Sequence, residues 1–201
     1  MKVLVLENID GAADTAIEAL EAAGHEVSRC HEPGQPAFPC TELSEPGSCP
    51  IENGPVDVAL TVRSGTAAPT CLEDGVSCAR RAHIPLVVAG DVAPNPFARF
   101  AAEVVEGVAG VVEACERAAA APLPDHSARA SGALRATLDA YGVAVEGRAE
   151  VTRRDGRLRV VMELPEEVPD DVAGKAATRV MGAVRGLDSS ARGIDVERSR
   201  G

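Results

Sequence analysis

Apolar runs separated by polar, glycine- and proline-rich gaps give the first half of the chain an alternating pattern. KVLVL at 2–6 is a continuous apolar run of the kind shown by a strand covered on both faces. Asp10 and Gly11 interrupt it. In the following ADTAIEALEAAG, Ala16, Ile17, Leu20 and Ala23 recur at helical spacing, with Gly24 at the closing position. HEVSRCH (25–31), VDVALTVR (56–63) and IPLVVAG (84–90) read as three further strands, and LEDGVSCARRA as a short crossover helix. After the fourth strand, Phe97, Phe100, Val104, Val108, Val111, Val112 and Cys115 fall on one stripe and predict a single long helix, with no fifth strand. Strands alternating with helices predict an α/β fold. With right-handed crossovers the result is an open, doubly wound parallel sheet of order 2-1-3-4.

The pattern changes at AAAAPLPDHS (118–127), where an alanine-rich helix runs out into two prolines and a serine. The expected division is a first domain over 1–121 and a second over 126–201. In the second, ARASGALRATLDAYGV reads as a helix and VAVEGRAEVTRRDGRLRVVMELP as a hairpin turning at Asp155-Gly156. VPDDVAGKAATRVMGAVRG reads as another helix and GIDVERS as a closing strand, together a small α+β domain.

Composition adds constraints. With 201 residues, 45% hydrophobic and 25% charged, the chain can bury one large core or two small ones. No stretch approaches the roughly 20 uncharged apolar residues that span a bilayer. The opening MKVLVLENIDG meets acidic residues too early for a signal peptide, so a cytoplasmic protein is expected. Residues 1–125 carry 19 acidic and 7 basic side chains, against 12 and 13 in residues 126–201. An acidic first half repels phosphate backbones, which excludes nucleic acid as its partner. Phe38, Phe97, Phe100 and Tyr141 are the only aromatic residues, too few for stacking platforms or aromatic cages.

Candidate chemistry concentrates in five of the six cysteines: Cys30, Cys40, Cys49, Cys71 and Cys78. All five fall in connections leaving the carboxyl ends of strands, the edge where open α/β sheets bind ligands. The loop 31–55 is too long for a compact domain unless something orders it or it is functional. One reading is a metal site formed by Cys30, His31, Cys40, Cys49, Cys71 and Cys78. It would hold zinc or an iron–sulfur cluster, the Cys49-Pro50 pair being of a kind found among cluster ligands. The spacings match no paired Cys-x-x-Cys signature. A second reading is a thiol switch in which Cys40 and Cys49 form a disulfide. A third is plain packing, the expectation for Cys115 on its apolar stripe.

Glu7, Asn8, Arg63 and Ser64 are expected to meet at the switch point between the first and third strands, where a small anion would meet Arg63. The alternative there is a structural Glu–Arg contact. Ser64-Gly65-Thr66 is only faintly like a phosphate-cradling turn. His25, His83 and His126 are expected at the surface or in caps.

The opening KVLVLENID, the LEAAGHEV ending the first helix and the VDVALTVR strand resemble the first half of response-regulator receiver domains, with their flavodoxin-like sheet, over residues 1–95. That family places an acidic pair after the first strand, a phosphoacceptor aspartate at the end of the third, a Ser or Thr after the fourth and a lysine on the fifth. Here those positions hold Glu7 and Asn8, then Arg63 followed by Ser64 and Gly65, then Ala89 and Gly90, with no matching lysine strand. A guanidinium neither accepts a phosphoryl group nor tolerates the magnesium that phosphotransfer needs. The resemblance therefore implies a receiver-like domain without phosphorelay. LRVVMELPEEVPDDVAGKAATRVMGAVRGLDSSARGIDVERSR is similar to the end of alkaline-shock-type domains, which implies a small interaction module of the kind found in assemblies, with a homo-oligomer open. The expected function is non-catalytic: a regulatory or interaction protein with a protein partner, acting through a metal or thiol change in the cysteine-bearing loop. A metal-dependent enzyme and a structural assembly component are the rival classes.

Overall fold

The apolar runs become the strands of a parallel sheet. β1 (Lys2–Glu7) leads to α1 (Asp14–Ala22) and β2 (Glu26–Arg29). Two one-turn helices, α2 (Thr41–Ser44) and α3 (Pro50–Asn53), interrupt the long connection to β3 (Val58–Arg63). A 3-10 turn at Cys71–Glu73 precedes α4 (Gly75–Arg81), and then come β4 (Leu86–Gly90), β5 (Glu103–Glu106) and α5 (Val111–Ala120). The computed structural model describes residues 1–38, 40–65, 68–90, 95–189 and 191–200; the side chains of Thr41, Ser44 and Arg200 fall outside the description, as does Thr66 of the Ser64-Gly65-Thr66 turn. The chain divides into two compact units, Met1–Ala119 and Ala120–Gly201.

In the first unit the five strands are parallel and ordered β2-β1-β3-β4-β5. Strand alternation sends Val3, Val5, Leu60 and Val62 to one face, where Ile17 and Leu20 of α1 and Ala114 and Cys115 of α5 cover them. Leu4, Leu6, Ala59 and Val88 go to the other face, under Val76 and Ala79 of α4. Burial on both faces accounts for the unbroken apolar runs of β1 and β3, each such Leu or Val contributing about 1.5–3 kcal/mol.

The long helix expected after the fourth strand is not formed. Ala98–Phe100 is a single 3-10 turn, Glu103–Glu106 is the fifth strand, pairing with β4 from Val87↔Glu103 to Ala89↔Val105, and only Val111–Ala120 is helical. Gly107 (φ 68°) and Gly110 (φ 80°) take left-handed conformations that no α-helix admits, so the stripe of valines was two elements in projection. β5 reads Glu-Val-Val-Glu and carries no lysine.

The second unit consists of α6 (Pro124–Ala140), β6 (Arg148–Arg154), β7 (Arg157–Leu164), α7 (Asp170–Leu187) and β8 (Gly193–Arg200). β6 and β7 are antiparallel, and β8 adds parallel to β7. Asp155 (φ 51°) and Gly156 (φ 70°) both take positive φ, as a two-residue turn matched to strand twist requires. Leu134, Leu138, Val151, Val160, Met162, Val180 and Val184 form its core. On the sheet's exposed surface Arg157 pairs with Asp195 and Arg159 with Glu197, each through two hydrogen bonds. His126, expected at the surface or in a cap, is instead buried with Nε2 3.4 Å from Asp188 Oδ2, a carboxylate that also meets Arg153. No helix among the described residues is long and apolar enough to cross a membrane.

Candidate functional site

The carboxyl edge of β2 divides two adjacent residues between the faces of the sheet. Arg29 turns toward α1, donating to Glu7 Oε1 at 2.8 Å and Asp14 Oδ1 at 2.6 Å. Cys30, whose amide extends the pairing with β1 by donating to the Val5 carbonyl at 3.1 Å, turns to the α4 face. Its Sγ occupies the space that a side chain at Gly75 would need: a Cβ there would stand 2.7 Å away. Burial pushes the Cys30 thiol up to about 12, and the neighbouring Cys40, Cys49 and Cys78 thiols and the Asp74 carboxylate raise it further by disfavouring another negative charge.

Each of those neighbours is brought by a different device. Cys78 lies one turn beyond Gly75 on α4, hence on the same helix face, and Arg81 Nη2 reaches its Sγ at 3.2 Å. Cys40 and Cys49 flank a turn closed by Glu42. Its Oε1 accepts from the Gly47 amide at 2.9 Å and its Oε2 from the Cys49 amide at 2.7 Å. These amides hold the Glu42 carboxyl below its ordinary range. Cys49 then caps α3, its carbonyl accepting from Glu52 and Asn53, with Pro50 stiffening the first helical position. The start of the loop is tied by the Gly34 amide to Asp10 Oδ2 at 2.9 Å.

Cys71 lies in the 3-10 turn and is exposed, and Cys115 is fully buried in the core. All six cysteines are free thiols. His31 lines a recess of about 10 Å³ with Cys30, Leu72, Glu7, Asp10 and Arg29. Its Nδ1 is buried there without a protein partner, and the recess has room for about one water. Among the described residues no three His, Cys, Asp or Glu side chains are gathered closely enough to hold a single ion.

The switch-point quartet separates. Asn8 and Ser64 do meet: Asn8 Nδ2 donates to the Ser64 carbonyl at 2.6 Å, and the Ser64 amide donates to Asn8 Oδ1 at 2.9 Å. Glu7 alternates with Val3 and Val5 on the α1 face, where it also accepts from the Ala13 amide at 2.9 Å. Arg63 has no exposed surface and alternates with Ala59 on the α4 face, donating from Nη1 to both carboxylate oxygens of Glu73 at 3.1 Å and from Nη2 to the Ala68 carbonyl. Glu73 also accepts from Thr61 Oγ1 and the Thr70 amide. Burial raises the Glu73 carboxyl, against the downward pull of the Thr70 amide and of Arg63.

Glu42 and Glu73 had not stood out in the sequence. The signal for Glu73 was the Thr70-Cys71-Leu72-Glu73 spacing of a helix start; Glu42 left none. Of the remaining histidines, His25 pairs with Glu116 at 3.2 Å and His83 sits at φ 52° beyond the end of α4. Comparison with protein-family models, with curated proteins and with solved structures gives no match.

Proposed function

We propose that this is a cytoplasmic, non-catalytic regulatory protein in which a change of state at the cysteines of loop 31–55, by metal binding or thiol oxidation, alters contacts with a protein partner. The observation that carries the reading is the placement of Cys30 at the carboxyl edge of the sheet, packed against Gly75 of α4 with Cys78 one helical turn on, while Cys40 and Cys49 lie in the adjoining loop. Ile51 anchors the end of the loop against the apolar core on the α4 face. The turn before it rests on one half-buried carboxylate, so a bond between the loop's cysteines and the sheet changes its order. Phe38 and Leu43, on either side of Cys40, are 74% and 73% exposed, so reordering the loop changes which apolar surface a partner meets. Burial of Arg63 against Glu73, where a receiver domain carries its phosphoacceptor, supports a receiver-like unit that signals without phosphorylation.

In the oxidative branch, Cys40 and Cys49 lose two protons and two electrons to hydrogen peroxide, giving one disulfide and two waters. The test is amide hydrogen exchange across 31–55 in the full chain when reduced, peroxide-treated and zinc-loaded. The reading expects slower exchange in at least one treated state and no change when Cys40 and Cys49 are both serine. Identical exchange in all states would overturn it.

A further inference from the structure

We propose that Arg80 and Arg81 at the end of α4, with Arg99 of the 3-10 turn before β5, form a docking site for an acidic segment of a protein partner. That segment offers Asp or Glu carboxylates beside an apolar residue. The inference goes beyond the cysteine reading and does not depend on it.

Residues 1–125 hold 7 basic side chains against 19 acidic. Four of the basic ones are neutralised within the fold: Lys2 by Glu26, Arg29 by Glu7 and Asp14, Arg63 by Glu73, and Arg117 by Glu103. The other three are Arg80, Arg81 and Arg99. All three are exposed, and none meets a carboxylate among the described residues. In a unit so rich in carboxylates, guanidiniums left together without one make a surface complementary to negative charge.

Phe100 brings two of them together. The guanidinium carbons of Arg80 and Arg99 stand 3.6 Å and 4.4 Å from the centroid of its ring. They are therefore at most about 8 Å apart, no farther than about one Debye length at physiological salt. Phe100 is in turn held by the apolar core on the α4 face. Stacking fixes the plane of each guanidinium and uses none of its N–H donors, which stay free to take carboxylate oxygens in pairs. Arg81 follows Arg80 on α4 and donates to the Cys78 sulfur at 3.2 Å, a contact that leaves its charge unneutralised. Basic residues at a helix C-terminus offset the helix dipole, which accounts for Arg80 and Arg81. It does not account for Arg99, which lies on another element and shares the same ring.

Two observations select the partner. Val104 of β5 is paired with Val88, whose side chain lies in the α4-face core, so Val104 stands on the same face of the sheet as Phe100. It is 57% exposed and offers an apolar contact beside the arginines. Glu106, two residues further along that face of β5, begins the acidic surround. A nucleic acid's evenly charged backbone runs on into that surround and is repelled, whereas a short acidic turn of a protein ends with the patch.

The experiment is fluorescence anisotropy on the full chain with a short fluorescein-labelled peptide of Glu and Asp around one leucine, at low and at physiological salt. Binding is expected, weaker at the higher salt. Replacing both stacked arginines, Arg80→Gln with Arg99→Gln, is expected to weaken it at least about tenfold, the loss of charge-assisted hydrogen bonds. Arg117→Gln, at a residue already paired with Glu103, leaves it unchanged. Arg80→Lys with Arg99→Lys keeps the charge but not the planar fork, and is expected to fall between. Circular dichroism checks that each variant keeps its fold. Absence of peptide binding overturns the inference, as does binding that the double Gln variant leaves intact. Displacement of the peptide by an equal concentration of inorganic phosphate overturns it in favour of a free-anion site. A single-stranded oligonucleotide of equal charge that binds as tightly as the peptide overturns it in favour of nucleic acid.

Discussion

Cys30 and Gly75 fit against each other because Gly75 has no side chain: a Cβ there would lie 2.7 Å from Cys30 Sγ and 2.6 Å from Leu6 Cδ2. Gly75→Ala gains about 1 kcal/mol of helix propensity, but overpacking costs about 1–3 kcal/mol. The expected outcome is net destabilisation with Cys30 pushed away from α4. Urea unfolding measures the first, and faster alkylation of Cys30 reports the second.

Arg63 and Glu73 form a buried pair with 0% and 1% side-chain exposure. Removing one partner leaves the other charge without its counter-ion, so Glu73→Gln is expected to cost about 3–5 kcal/mol. Replacing both by apolar residues of similar volume is expected to recover most of that loss. A double-mutant cycle in denaturant checks the coupling.

Glu42 sets the pH range of the loop. Its carboxyl is held below the ordinary range by the Gly47 and Cys49 amides, so the turn is fully held above the ordinary carboxylate pKa and is released as pH falls through the lowered value. Proteolysis between 42 and 49 is expected to be slow at neutral pH and to quicken only in acid. Glu42→Ala should be cut readily at neutral pH.

Thiol reactivity should sort by burial. Burial pushes both Cys30 and Cys115 up to about 12, whereas Cys71 is exposed. At pH 8 an alkylating reagent is expected to label Cys71 first and Cys115 last, as read by mass spectrometry. The raised values favour the fold below the ordinary thiol value of 9.0, where both states keep the proton. Above it the unfolded chain ionises first, so that contribution declines from pH 9 toward 12.

The strands of the first unit were legible because burial on both faces leaves continuous apolar runs, as in Val3–Leu6 and Val58–Leu60. β5 was not, since its Val104 shares a helical stripe with Val108 and Val111, and only the conformations of Gly107 and Gly110 separate strand from helix. The cysteines could be picked out by their positions after strands, but which of them cluster depends on side-chain direction. Strand alternation divides Arg29 from Cys30 and Glu7 from Arg63 between opposite faces. His126 was misread because its partner Asp188 lies at the far end of α7.

The proposed cysteine switch requires Cys30 and Cys78 to stand within reach of Cys40 and Cys49 on loop 31–55. A short bifunctional thiol reagent applied to the reduced, metal-free chain, followed by peptide mapping, measures this. The prediction is cross-links confined to pairs within these four, with Cys71 modified singly. Cross-links joining Cys71 to Cys40 or Cys49 as readily as Cys30 to Cys78 would contradict it.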